Sequence, residues 1–338
     1  MAATQDIAVD GWALTMLPKQ YVGWASTCNS VGQTAGYFIG NVVLLTLESS
    51  HFANTYVRSQ PQDGGFVTLS GFIFFWGIFF LFGSLAICGF KREVEHPSTK
   101  EHEGTAIHET YMQLYDIARL PVIRQFVVLL LTWKIGLAAA EGVTGLKLLE
   151  AGLTRDRMAM LAIPLTPVQL LLPLAISHIS SGPSPLIAAV NSTFYRTIIC
   201  CAFPCLVYWT HSFGGEFPFY YYLVVVLVYC CHQCFANGVF VNLMAYYAQV
   251  SDPKLGGTYM TLLNTFTNLG GNWPVTMALW FVEDLTFKTA SGGTIDGYYI
   301  ECFFGLILGM IWVKIARPYI VAIQSRGAAA WVVPTNKA

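Results

Sequence analysis

The chain of 338 residues is 55% hydrophobic and 11% charged, with a formal net charge of −1. Soluble domains carry about 25% charged residues, so this composition excludes an ordinary soluble protein and predicts an all-α, polytopic membrane protein. The nine cysteines lie almost entirely in apolar segments, which argues against the disulfide framework of a secreted protein.

The first apolar run, residues 7–17, is too short to cross a bilayer. Its eleven residues span about 16 Å as a helix, whereas the hydrocarbon core is about 30 Å thick. Asp6 and Asp10 lie four residues apart in this run and share a helix face. Intramembrane carboxylates commonly mark proton or substrate paths, so we predict a pathway role for both; a hydrated helix end is the alternative.

Residues 24–47 form the next predicted span. Its polar side chains recur on one face and predict a cavity wall: Ser26, Ser30, Gln33, Tyr37 and Asn41. Gly32, Gly36 and Gly40 form an adjacent row, which predicts close packing between helices.

A polar loop is predicted over 51–70 and a charge-free span over 71–90. Residues 91–124 carry several charges and a His-rich run, which is typical of a connector outside the membrane. Within it, 111–119 predicts a short interfacial helix.

The next span is centred on 127–140 and contains Lys134. A lysine at this depth costs about 2.5–3.5 kcal/mol on insertion scales, so it must face protein or water. We predict a substrate-facing role for Lys134, with a structural pair or a snorkelling side chain as alternatives. Glu141 lies on the same helix face about 10 Å further along, and both side chains can line one cavity.

Two spans follow, over 158–176 and 186–209, joined by a turn at 177–185. Three prolines predict a kink in the first. Arg196 in the second is a candidate cation for the solute, although snorkelling to the cytosolic surface is the slightly favoured alternative.

Residues 219–247 form an aromatic-rich span with Gln233 and Asn237 one turn apart. Its Cys231-His232-Gln233-Cys234 sequence is reminiscent of a zinc or redox motif, but a structural zinc site needs four ligands, so we predict no metal. A membrane acyltransferase would need a histidine base, and His178, His211 and His232 show no acidic or nucleophilic partner in the sequence, which favours a protein that is not an enzyme.

The most informative stretch is 256–282, which lacks Lys, Arg, Asp and Glu throughout. Its polar residues recur at helical spacing and predict a stripe toward other helices or a wet cavity: Thr258, Thr261, Thr265, Asn268 and Asn272. Gly270-Gly271-Asn272-Trp273-Pro274 predicts a break in this helix, as in transporters near their binding sites. A final span is predicted over 298–315, with Gly305 and Gly309 as a packing pair.

Four motifs resemble one family. These are Thr-Gln-Asp-Ile-Ala-Val-Asp-Gly-Trp (4–12), Ala-Ser-Thr-Cys-Asn-Ser-Val-Gly-Gln-Thr-Ala-Gly-Tyr-Phe (25–38), Gly-Gly-Thr-Tyr-Met-Thr-Leu-Leu-Asn-Thr (256–265) and Asn-Leu-Gly-Gly-Asn-Trp-Pro (268–274). They are similar to the acetyl-coenzyme A transporters, solute carrier family 33, which are major facilitator proteins of the endoplasmic reticulum membrane. The resemblance covers essentially the whole chain.

The resemblance implies a major-facilitator bundle of which this chain holds about eight full spans and one partial helix. In that family the motif at 4–12 belongs to the fourth membrane helix, so three and a half helices are expected to be missing. The implied organisation is a remainder of the N-terminal half over 1–90, a cytoplasmic connector over 91–125, a six-helix C-terminal half over 126–320 and a cytoplasmic tail over 321–338.

Loop charges predict the orientation independently of the family. The side with the connector collects eleven Lys or Arg and the other side five, so the positive-inside rule places the C-terminus in the cytosol.

The first functional hypothesis is transport of acetyl-CoA from the cytosol into the endoplasmic reticulum lumen by alternating access, with no cofactor and with homo-oligomers possible. The solute is a polyanion that needs cations and neutral polar contacts. The candidates are Lys134, Arg196, Asn264, Asn268, Asn272, Trp273, Gln33 and Tyr37, with Asp6, Asp10 and Glu141 for coupling or the pathway. The alternatives are a non-transporting fragment that acts as a regulatory partner of a full-length copy, an incomplete gene model, or a facilitator for another organic anion.

Overall fold

In a computed structural model of the chain, the structure is described for residues 8–9, 22–90, 107–180, 184–251, 256–288 and 293–332. Asp6 and Asp10 lie outside these residues. The chain divides into two compact units, one of residues 31–103 and the other of residues 1–30 together with 104–338.

Most of the smaller unit consists of one interrupted helical stretch and one long helix. Helix α1 (Val22–Phe38) enters it and leads into a π-helical segment, Ile39–Val43, and α2 (Leu44–Glu48). Further turns complete the stretch: α3 (Ser50–Phe52) and the π-helical segment Ala53–Val57. Helical structure therefore extends into part of the region that we predicted as a loop, 51–70. Ser49 caps the start of α3 by accepting a hydrogen bond from the Phe52 backbone N–H at 3.2 Å.

Helix α4 (Leu69–Phe90) contains no charged residue and has no buried residue along its 22 positions. Being apolar on every face, it suits a lipid environment, and its length of about 33 Å suffices to cross a bilayer. On α1 and its continuation, a Cβ added at Gly32, Gly36 or Gly40 meets no atom within 4 Å. The close packing that we predicted for this glycine row is therefore absent from the described residues.

The larger unit is a helix bundle with one small β-hairpin. Its elements are α5 (Ile107–Arg119), α6 (Pro121–Thr132), α7 (Ala138–Gly142), α8 (Thr144–Glu150), α9 (Arg155–Ser180), α10 (Pro185–Cys200), α11 (Ala202–His211), α12 (Phe219–Val250), α13 (Gly256–Asp284), β1 (Phe287–Lys288), β2 (Thr294–Ile295), α14 (Gly297–Gln324) and a final 3₁₀ turn (Ala328–Trp331). The strands pair antiparallel, with Phe287 opposite Ile295.

The break predicted in α13 is wrong, and the structure places an interruption elsewhere. Helix α13 is continuous through Gly270, Gly271 and Pro274. The segment 133–137 between α6 and α7 is instead a turn, so the span predicted over 127–140 is interrupted at Lys134. Gly270 serves a packing purpose, because a Cβ there would overlap the backbone of Leu130.

Three tryptophans stabilise this interruption. The Ile135 N–H bonds the Thr132 carbonyl at 3.2 Å, and the Leu131 carbonyl accepts the indole N–H of Trp273 at 2.8 Å. Trp133 donates to Thr193 at 2.8 Å and Trp312 donates to Thr132 at 2.9 Å. Backbone groups released by the turn therefore have partners, as a low-dielectric environment requires.

The bundle core follows from which helices meet. Helix α12 packs against α9 and α10, α14 packs against α10, and α13 packs against α6 and α7. The predicted packing pair on α14 is confirmed, since a Cβ on Gly136 would overlap Gly309 and the Gly305 carbonyl. At the end of the bundle where α6 begins, Trp331 is fully buried and contacts the rings of Phe126 and Tyr246 edge-on.

The prediction of a helical membrane protein is confirmed. Four described helical stretches are long and apolar enough to cross a membrane: Leu69–Phe90, Pro185–His211, Phe219–Val250 and Gly297–Gln324. The larger number of spans, the major-facilitator arrangement and the domain boundaries stay predictions.

We expect Gly309→Leu to lower the melting temperature, because a Cβ on Gly309 would already overlap the Thr197 side chain of α10, and overpacking costs about 1–3 kcal/mol or more. Thermal unfolding of the detergent-solubilised protein, followed by intrinsic fluorescence, measures this. Gly83→Leu on α4 is the matched control, since a Cβ there meets no atom within 4 Å. Equal melting temperatures for the two variants would contradict the close contact.

Candidate functional site

Three ionisable side chains from three helices meet inside the larger unit. Glu141 on α7 accepts a hydrogen bond from Arg196 Nη2 on α10 at 2.5 Å. His232 on α12 lies with Nε2 3.2 Å from the same Glu141 oxygen and 3.3 Å from Arg196 Nε. Side-chain exposure is 7% for Arg196 and 17% for Glu141, so the pair lies in a low-dielectric environment. We call Glu141, Arg196 and His232 the buried triad.

Helix packing dictates this meeting. Helix α10 packs against α12 along its length, which brings Arg196 to His232. The turn at 133–137 redirects the chain so that α7 begins again at Ala138 and carries Glu141 against α10. Phe203 on α11 packs edge-on to the imidazole of His232, with 5.2 Å between ring centroids. Desolvation of each ion costs several kcal/mol, and the polar contacts among the three side chains of the triad offset part of that cost.

The structure contradicts the favoured expectation for Arg196. Its guanidinium does not snorkel to a surface but is buried in the bundle and bound to Glu141. The physical reason is that a buried partner of opposite charge is available on a neighbouring helix, which the sequence spacing of 55 residues does not show. Glu141 bonds Arg196 and lies within hydrogen-bond distance of His232, and its role on a pathway with Lys134 stays a prediction.

Lys134 lies beside the triad but does not belong to it. Among the described residues it forms no ion pair or side-chain hydrogen bond within the usual limits, although Glu141 and Arg196 are both near enough to influence its charge. Its side chain crosses α13 at Gly271, where an added Cβ would lie 3.2 Å from Nζ. A glycine at this position therefore leaves room for the lysine to extend.

Lys134 and Arg196 line a cavity of about 240 Å³. The remaining lining residues are Leu130, Trp133, Gln233, Ala236, Asn237, Val239, Phe240, Leu243, Met244, Thr267 and Asn268. Polar groups therefore come from α10, α12, α13 and the 133–137 turn, while the rest of the wall is apolar. Such a mixture is typical of small-molecule sites, in which a few polar groups fix the orientation of the ligand.

The polar stripe of α13 divides between the cavity and the exposed surface. Asn268 is exposed and also lines the cavity, and Thr265 and Asn272 are exposed beside it. Asn264 is partly buried and Asn272 does not line the cavity. Trp273 uses its indole N–H on the Leu131 carbonyl, which gives it a structural contact in this conformation.

Two further candidates, Gln33 and Tyr37, belong to the unit of residues 31–103. Both are exposed on α1. Their role in solute binding stays a prediction, as do those of Asp6 and Asp10.

Sequence reasoning missed His232 as part of a charged cluster. Its Cys-His-Gln-Cys context invited a metal interpretation, and its acidic partner lies 91 residues away. The ligand atoms of Glu141, Cys200 and His232 do lie within 4.8 Å of one another. The Arg196 guanidinium, however, already bonds Glu141 and faces His232 Nε2, so a metal cation would have to displace it. Glu141, Arg196 and His232 therefore form an ion-pair network rather than a set of metal ligands.

Comparison with known proteins shows the family to which this chain belongs. A family model described as acetyl-coenzyme A transporter 1 matches residues 1–103, 90–198 and 184–295. The chain belongs to this family. The family resemblance stated from the motifs is therefore confirmed.

Two fungal proteins are among its relatives. An uncharacterized protein of Schizosaccharomyces pombe is 32% identical over 359 residues, which cover 98% of this chain and 67% of the relative. An uncharacterized membrane protein of Saccharomyces cerevisiae is 27% identical over 411 residues, covering 98% of this chain and 73% of the relative. No solved structure matches the chain.

We expect the Glu141–Arg196 pair to be strongly coupled in a double-mutant cycle. Removing one partner by Glu141→Gln or Arg196→Gln leaves a buried group uncompensated. The losses of stability in the two single variants should therefore sum to more than the loss in the double variant. The coupling free energy should be about 1–3 kcal/mol in unfolding titrations. The pair Lys147–Glu150 is the control, because Glu150 is 59% exposed and surface pairs contribute about 0–1 kcal/mol. Equal coupling in the two cycles would contradict a buried pair.

Proposed function

We propose that this membrane protein transports acetyl-CoA, binding it in the cavity beside Lys134 and moving it from the cytosol into the endoplasmic reticulum lumen by alternating access. The observation that carries the proposal is a lysine that has no anionic partner among the described residues and that lines a partly polar cavity inside a helix bundle, in a chain of the acetyl-CoA transporter family. A charge held in such a place is costly unless it has a ligand or water to face.

The charges around the cavity favour an anion. Arg196 and Glu141 neutralise each other, so Lys134 leaves a net positive charge next to the cavity. Acetyl-CoA carries several phosphate charges, and an ammonium group donates charge-assisted hydrogen bonds to phosphate oxygens. Gln233, Asn237 and Asn268 supply neutral amide groups for the remaining contacts.

The size of the cavity limits how much of the solute it holds in this conformation. Sites that enclose drug-sized ligands measure about 300–1,000 Å³, and this cavity measures about 240 Å³. We infer that one phosphate-bearing part of acetyl-CoA enters beside Lys134. The polar residues of α13 near Asn268 are available for the rest of the molecule: exposed Thr265 and Asn272 and partly buried Asn264.

Alternating access in membrane carriers uses interrupted helices near a site at mid-membrane depth. The turn at 133–137 is such an interruption, and it holds Lys134 itself. Movement of α6 relative to α7 about this turn would reorient the lysine without unfolding either helix. The proposed direction of transport is the one that the family resemblance implies, and the distribution of basic loop residues supports a cytosolic C-terminus.

Lys134→Ala should weaken acetyl-CoA binding about 10- to 100-fold, since a hydrogen bond to a charged group contributes about 1.5–3 kcal/mol. Equilibrium binding of radiolabelled acetyl-CoA to the purified protein and uptake into proteoliposomes measure this. Lys134→Arg keeps the charge and should retain part of the binding.

Lys314→Ala is the control for general loss of charge, because Lys314 is exposed on α14 and should bind like the unaltered protein. Melting temperatures of all variants are compared first. Unchanged affinity in Lys134→Ala, or equal losses in Lys134→Ala and Lys314→Ala, would contradict the proposed site.

A further inference from the structure

We infer that acetyl-CoA binding is coupled to the uptake of a proton by His232, which would make transport proton-linked. The inference rests on the proposed function and adds to it the ion that accompanies the solute. It is carried by the position of one imidazole nitrogen between an anion and a cation.

His232 Nε2 has two competing neighbours, Glu141 Oε1 at 3.2 Å and Arg196 Nε at 3.3 Å. When Nε2 carries no proton, it accepts a hydrogen bond from Arg196, and the guanidinium remains bound between Glu141 and His232. A proton added to Nε2 of the neutral Nδ1–H tautomer makes this nitrogen a donor to Glu141, and it can no longer accept from Arg196. Protonation of that tautomer therefore strengthens one contact and abolishes the other.

The same protonation changes the charge balance of the triad. A neutral His232 leaves Glu141 with one cation, whereas an imidazolium gives it a second cation and repels Arg196. This repulsion opposes the Glu141–Arg196 attraction and favours an orientation of the guanidinium toward the cavity beside it.

Arg196 already lines that cavity together with Lys134. An anion in the cavity would stabilise the guanidinium in its turned position and would thereby favour the protonated state of His232. By linkage, solute binding raises the proton affinity of His232, and a proton on His232 raises solute affinity. The proton comes from solvent and binds Nε2; no bond in the solute is made or broken.

The surroundings of His232 contain no carboxylate besides Glu141 among the described residues that face it. Helix α10 contributes Arg196 and Cys200, α7 contributes Glu141, and the 133–137 turn contributes Lys134. Helix α9 also packs on α12, and its Arg157 donates a hydrogen bond to the Gly215 carbonyl, just before the start of α12. Phe203 of α11 and Tyr229 of α12 itself complete the nearby rings.

The test is calorimetric binding of acetyl-CoA to the full chain in two buffers of different ionisation enthalpy, at several pH values between 6 and 8. The difference in heat gives the number of protons taken up on binding. We expect about one proton at the alkaline end, and an affinity that rises by up to about tenfold for each unit fall in pH.

His232→Gln keeps a side chain that bonds Glu141 but cannot be protonated, so it should bind acetyl-CoA with proton uptake near zero and a flat pH dependence. The phosphate monoester of the solute also titrates, near pH 6, and this variant separates its contribution from that of the protein. His211→Gln is the matched control, because His211 is exposed at the end of α11, and it should behave like the unaltered protein.

The outcomes distinguish the two proposals. Binding without proton uptake in the unaltered protein, or equal uptake in His232→Gln, would overturn the coupling and leave the proposed function standing. Absence of acetyl-CoA binding at every pH would contradict the proposed function and the coupling with it. If His232→Gln does not fold, the proton count of the unaltered protein with acetyl-dephospho-CoA, which lacks the titrating phosphate monoester, decides instead.

Discussion

The exclusion of water from a membrane interior is the constraint on which this structure depends, because every backbone amide and every charge there needs a partner within the protein. The turn at 133–137 releases backbone groups, and the Leu131 carbonyl accepts a hydrogen bond from the indole N–H of Trp273. Gly136, Gly305 and Gly309 allow α14 to approach this turn closely. The interruption is thus built into the packing of three helices rather than being a local defect in one of them.

The same constraint sorts the charged residues of the bundle. Glu141 and Arg196 satisfy each other in the buried triad. Lys134 is next to them but lacks an anionic partner among the residues that the structure describes, and it faces a cavity. An anionic solute would complete this arrangement, and the proposed function follows from that unmatched charge together with the family of the chain.

Much of the helical pattern could be predicted from the sequence, and the long-range contacts could not. Apolar runs predicted helices close to many of those observed, because the bilayer dictates their length and composition. The Gly270–Pro274 motif was interpreted as a break because glycine and proline weaken isolated helices, yet the packing of Gly270 on Leu130 keeps α13 continuous. Arg196 and His232 were misjudged for a related reason: their partner Glu141 is distant in sequence and becomes a neighbour only through the packing of α7, α10 and α12.

The most direct test of the central claim, that Lys134 is the cation of an anion site, is an experimental structure of the protein with acetyl-CoA bound. We expect a phosphate oxygen within hydrogen-bond distance of Lys134 Nζ, about 2.7–2.9 Å, with the solute extending from the cavity along Asn268. A structure with acetyl-CoA bound elsewhere and Lys134 still facing an empty cavity would contradict this account.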